Sequence, residues 1–96
     1  HTLWAGVEPN EKLSILAGRC KAAAERAGIA MEPRSYKPHL TLAYLKTQTN
    51  PDRIGAWMAN HNLLHSPAIP VTRFGLYSST LTDDGSFYEL ERDYPL

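Results

Sequence analysis

Ninety-six residues with 10 basic and 10 acidic side chains make one domain at most, with no net charge to hold nucleic acid non-specifically. A composition of 43% hydrophobic and 21% charged residues excludes a disordered or fibrous chain and fits a globular one. No apolar run approaches the length of a membrane span, so no membrane partner is expected. The single Cys20 cannot form a disulfide within the chain and fits a reducing compartment, which makes the cytoplasm the expected location.

The chain opens on His1 without a methionine and runs at once into apolar residues, so a piece of a longer protein is expected. Leu3-Trp4-Ala5-Gly6-Val7, bounded by Glu8-Pro9-Asn10, reads as a short buried strand. Asn10 then caps a helix whose apolar stripe is Leu13, Leu16, Ala17, Cys20, Ala23, Ala24 and Ala27. Gly28 stands where a left-handed residue ends it. Cys20 is expected to be a small core residue in that stripe. Residues 29–37 hold Pro33 and mixed charges, run up to Pro38, and form a connector.

The next stretch, Pro38-His39-Leu40-Thr41-Leu42-Ala43-Tyr44-Leu45, alternates as a strand does. Strict alternation puts His39, Thr41 and Ala43 on one face and Leu40, Leu42 and Tyr44 on the other. An imidazole can move a proton near neutral pH, and a hydroxyl beside it can donate to an anionic oxygen. That pair suits half of a phosphate-handling site. The same spacing also suits an ordinary strand with a surface histidine and a β-favouring threonine.

After the polar loop from Lys46 to Thr49, Asn50-Pro51-Asp52 starts a second, shorter helix with Ile54, Trp57, Met58 and His61 inward. His61 and His65 are four apart but lie at a helix end and loop with no third ligand nearby, so no metal is expected. Ile69 to Leu81 is rich in β-formers, Thr82-Asp83-Asp84-Gly85 is a hairpin turn, and Ser86 to Arg92 returns. There Phe87, Glu89 and Glu91 alternate with Tyr88, Leu90 and Arg92. The order predicts an α+β fold: a largely antiparallel sheet with two helices packed on one face, over residues 1–96 as a single domain.

Several of these stretches together resemble the two-histidine (2H) phosphoesterase superfamily, most closely the bacterial RNA 2′,3′-cyclic phosphodiesterases once described as 2′–5′ RNA ligases. They are Leu3-Trp4-Ala5-Gly6-Val7-Glu8-Pro9, Tyr36-Lys37-Pro38-His39-Leu40-Thr41-Leu42-Ala43, Phe74-Gly75-Leu76-Tyr77-Ser78-Ser79, and Tyr88-Glu89-Leu90 with Tyr94-Pro95-Leu96. Such proteins have two similar lobes, each with one H-x-T-x strand, and a cleft between them. The resemblance implies the C-terminal half of such a protein, with His39 and Thr41 as its second motif. His1-Thr2-Leu3 does not serve as the first motif, because adjacent residues point to opposite faces.

What the resemblance implies is hydrolysis of 2′,3′-cyclic phosphate ends to 2′-phosphate, without cofactor or metal. His39 would be one of two proton carriers and Thr41 a catalytic, substrate-binding donor to phosphate oxygens. The partners implied are RNA ends or small cyclic nucleotides, and the missing N-terminal lobe of the same protein. Close relatives often carry a cation three positions after the motif threonine. Here that position is Tyr44, which alternation assigns to the packing face, and Lys46 is the substrate-binding cation expected near the strand end. Two other readings fit the residues: a catalytically incomplete nucleotide- or RNA-binding or interaction module, and a purely structural domain. A second H-x-T-x upstream would favour the enzyme.

Overall fold

The computed structural model describes residues 2–46 and 48–96. Its elements are β1 (Thr2–Gly6), α1 (Glu11–Arg26), β2 (His39–Tyr44), α2 (Pro51–His61), β3 (Arg73–Thr82) and β4 (Gly85–Pro95). The chain is α+β, its strands pair antiparallel, and the elements follow the expected order. The one sheet expected from the sequence is instead two ladders, β1 with β2 and β3 with β4. The residues form two compact units, one up to Trp57 and one from Met58 to Leu96. No described residue is fully buried.

In the first unit, α1 begins and ends as its sequence dictates. The Asn10 side chain accepts the Leu13 N–H at 3.0 Å, satisfying one of the donors that a helix start leaves unpaired. At the other end Gly28 takes φ +89°, which glycine adopts without a Cβ clash. The chain can then fold back, so that Ile29 N–H donates to Ala24 C=O and Gly28 N–H to Glu25 C=O, each at 3.0 Å. Leu13, Leu16, Ala17 and Ala24 are the half-buried members of the apolar stripe, whereas Cys20 is exposed. The core role expected for Cys20 therefore does not hold.

The irregular segment 27–38 lets β2 return antiparallel to β1. Gly6 pairs with His39, Ala5 with Leu40 and Trp4 with Thr41, but Leu3 then pairs with Ala43 and Thr2 with Tyr44. Leu42 is thus an extra residue, a β-bulge, and it resets the alternation of everything after it. Cross-strand partners share a face. Thr2, Trp4, Gly6, His39, Thr41 and Tyr44 therefore lie on one side, and Leu3, Ala5, Leu40 and Ala43 on the other.

This corrects the reading from strict alternation, which exchanged the faces of Ala43 and Tyr44. Burial agrees with the register except at Leu40, which is 62% exposed. Leu3, Ala5, Ala43 and Leu45 are half-buried, while Tyr44 is 72% exposed. Leu3 and Leu45 meet Ile54, Trp57 and Arg53 of α2 around a hollow of about 270 Å³. α2 itself starts on Asn50, whose side chain accepts the Asp52 N–H at 2.8 Å, with Pro51 in the first turn where no N–H is needed. Of the four residues expected inward, Ile54 is half-buried, whereas Trp57, Met58 and His61 are exposed.

The second unit is held by the β3–β4 hairpin. It closes at Thr82 and Gly85 around Asp83-Asp84, with Gly85 at φ +116° and the Thr82 hydroxyl donating to the Gly85 carbonyl at 2.6 Å. β3 starts at Arg73, later than the β-rich run that begins at Ile69, because Pro67 and Pro70 lack the N–H groups a ladder needs. β4 runs past Arg92 to Pro95, and Phe74 stacks on Tyr94 with ring centroids 4.9 Å apart. A second bulge leaves Glu91 unpaired between Leu90 and Arg92, and the Ser78 hydroxyl donates to its carboxylate at 2.8 Å. The bulge turns Arg92 to the side of Phe87 and Glu89, against the simple alternation. Arg73 bonds Asp93 at 2.8 Å on the opposite side, beside Gly75.

Candidate active site

The face of the β1–β2 ladder that carries His39 and Thr41 is built by two local features. β2 starts directly after Pro38, so His39 is its first residue and stands at the ladder end. Gly6 lies across from it, and a Cβ there would meet only the Trp4 ring, at 3.7 Å. The space beside the imidazole is therefore open except for the indole. The Trp4 and His39 ring centroids are 5.7 Å apart with the planes tilted by 57°. Trp4 also pairs with Thr41, so the indole, the imidazole and the hydroxyl occupy one patch.

The imidazole is oriented by the backbone just before the strand. Its Nδ1 lies 2.7 Å from the Lys37 carbonyl oxygen. A carbonyl can only accept, so Nδ1 carries the hydrogen and donates it. In the neutral ring this leaves Nε2 as the basic nitrogen, and on protonation Nε2–H becomes the donor. Thr41 follows two residues on, on the same side, with a hydroxyl able to donate to an oxyanion. An imidazole held by one nitrogen next to a free-standing hydroxyl is suited to moving one proton while holding one oxygen.

Lys46 stands beyond the end of β2 in an exposed turn, where its carbonyl accepts the Thr49 N–H at 3.0 Å. It is outside the paired part of the ladder that joins His39 to Thr41. His61 ends α2, and His65 follows in irregular chain. Among the described residues no three His, Cys, Asp or Glu side chains gather as a metal-binding group. No helix of the described residues is long and apolar enough to cross a membrane.

Two residues of this face were not legible as such in the sequence. Trp4 looked like one member of a buried apolar run, yet it is 53% exposed beside His39. Tyr44 looked like a packing residue, and the bulge brings it to the other side. Neither had a local signal, because both depend on which residues pair across the ladder.

Comparison with curated proteins and with solved structures finds no match. The model of the family described as LigT-like phosphoesterase matches residues 6–88. That span includes β2 with His39 and Thr41, both helices and β3, and it takes in most of the chain. The chain belongs to the LigT-like phosphoesterases, a family of the two-histidine phosphoesterase superfamily.

Proposed function

We propose that this chain is the C-terminal lobe of an RNA 2′,3′-cyclic phosphodiesterase that opens the cyclic phosphate to a 2′-phosphate. The observation that carries the reading is the pairing of an Nδ1-anchored His39 with Thr41 on one open ladder face, in a chain of phosphoesterase family. In the reaction, water attacks phosphorus in line with the bond to the ribose O3′. One imidazole takes the water proton, the P–O3′ bond breaks, and a second imidazole gives its proton to the departing O3′. Each transfer is worth about 10²–10⁴-fold in rate. Thr41 donates to a non-bridging oxygen as charge builds there.

A single imidazole cannot stand on both sides of phosphorus, so the second H-x-T-x motif belongs to the proposed N-terminal lobe. That Leu40 is 62% and Leu42 48% exposed supports a partner surface on this chain. Lys46 is assigned to the RNA backbone on charge alone, and the exposed Cys20 thiol fits a cytoplasmic protein. The chemistry needs no cofactor.

The test is made in the full-length protein. His39→Ala should slow hydrolysis of a 2′,3′-cyclic nucleotide by at least about 10²-fold. Thr41→Ala should cost about as much as one oxyanion donor, on the order of 10²-fold. Hydrolysis at the parent rate by both variants would overturn the assignment. Nucleotide binding without turnover by the parent protein would favour a binding module.

A further inference from the structure

We infer that Trp4 is a positioning residue for His39: its indole, laid along the ladder over Gly6, holds the imidazole so that Nδ1 stays on the Lys37 carbonyl and Nε2 is the atom that carries the reacting proton. The inference rests on the cyclic-phosphodiesterase reading for the reaction, and on the ladder geometry for the contact.

His39 is held only in part by its own strand. It is the first residue of β2 and is exposed. The bond from its Nδ1 goes to the carbonyl of Lys37, two residues back in irregular chain. A bond to one ring atom leaves the imidazole able to pivot about that atom, and a bond open to water competes with solvent. Once Nδ1 lets go, either nitrogen can carry the hydrogen, so the basic atom is no longer fixed. A proton carrier in this place needs a second restraint.

The indole supplies it. Trp4 pairs with Thr41, yet its ring does not stay at that pair. A Cβ at Gly6 would lie 3.7 Å from Trp4 Cζ3, so the six-membered ring leans along β1 over Gly6. Gly6 is the partner of His39, and the lean brings the indole to the imidazole, with ring centroids 5.7 Å apart and planes tilted by 57°. Tilted aromatic pairs attract at such a separation. Core packing does not account for this placement. Trp4 is 53% exposed, and the half-buried Leu3 and Ala5 of the same strand lie on the other face.

The experiment uses the full-length protein and two substrates, adenosine 2′,3′-cyclic phosphate and methyl riboside 2′,3′-cyclic phosphate, which has no base. Trp4→Ala should lower kcat roughly 10- to 10²-fold on both, the scale of a reacting group displaced by up to about an ångström, with KM little changed. Long-range proton–nitrogen NMR spectra should show the His39 ring as one Nδ1–H tautomer in the parent and as a mixture in Trp4→Ala. Trp4→Phe, which keeps a flat ring, should retain more of kcat and of the single tautomer than Trp4→Ala does. Should Trp4→Ala fail to fold, Trp4→Leu, apolar but without a ring, is read in its place. An unchanged kcat, a loss confined to KM for the nucleotide, or the parent tautomer kept without the ring would overturn the inference. Failure of the parent to hydrolyse either compound would sink the cyclic-phosphodiesterase reading alone. The tautomer spectra would then decide: a mixture on loss of the ring supports the positioning role, and an unchanged tautomer refutes it.

Discussion

Placing an arginine at Ala43 and at Tyr44, one at a time, reads the bulge directly, because the register with Leu42 as an extra residue exchanges their environments. Tyr44 is 72% exposed, so roughly a quarter of the ring is covered. Of the 150–250 Å² that an aromatic side chain can bury, about 50 Å² is at stake, or on the order of 1 kcal/mol at 25 cal/mol per Å². The arginine stem recovers part of that contact while its head stays in water. Tyr44→Arg should therefore cost less than about 1 kcal/mol. Ala43 is half-buried, paired with Leu3 on the face where Leu45, Ile54 and Trp57 gather.

A guanidinium there lacks an anionic partner among those residues and faces the like charge of Arg53. Partial burial of an unpaired polar head costs about 1–3 kcal/mol, and forcing a long side chain into occupied space adds about 1–3 kcal/mol. Ala43→Arg should lose at least about 2 kcal/mol on the same grounds. Urea denaturation of the full-length protein measures both, as a shift in midpoint at unchanged slope. A larger loss for Tyr44→Arg than for Ala43→Arg would restore strict alternation and remove the bulge.

Asn10→Ala should destabilise by about 1 kcal/mol, seen in the same denaturation curves, since it leaves the Leu13 N–H without its acceptor. If two imidazoles act as base and acid, kcat/KM should rise with pH as the base loses its proton and fall as the acid does, a bell near neutrality. Activity lost in EDTA and restored by zinc or magnesium would count against the histidine-only mechanism. Residues 1–96 by themselves should be catalytically silent, and mixing them with the separately produced N-terminal half should restore hydrolysis. Robust turnover by the dilute 96-residue chain would defeat the two-lobe proposal.

Much of this molecule is written in short-range chemistry, and there the sequence suffices. Asn10 and Gly28 bracket α1 because a side-chain oxygen and a missing Cβ solve problems set within a few residues. Asn50-Pro51 starts α2 for the same kind of reason, and Asp83-Asp84-Gly85 turns the hairpin. The ordered set of stretches around His39 and Thr41 also sufficed for the family, which the match over residues 6–88 establishes. His39 and Thr41 share a face because only one residue separates them and the bulge lies after Thr41.

What the tertiary structure alone decided is everything that depends on pairing between distant residues. Alternation carries one bit per residue, and a single unpaired residue inverts it for all that follow. Leu42 does this to Ala43 and Tyr44 with no glycine or proline to announce it, and Glu91 does it to Arg92, where Gly75 across the ladder leaves the room that Leu90 and Tyr77 take. Trp4 stands beside His39 because β2 pairs back onto β1 across a long connection, and no local propensity encodes that register. The division of the strands into two ladders is a choice of the same kind. Helix caps and turns are settled within one loop of chain, whereas the composition of a sheet face is settled only when the strands meet.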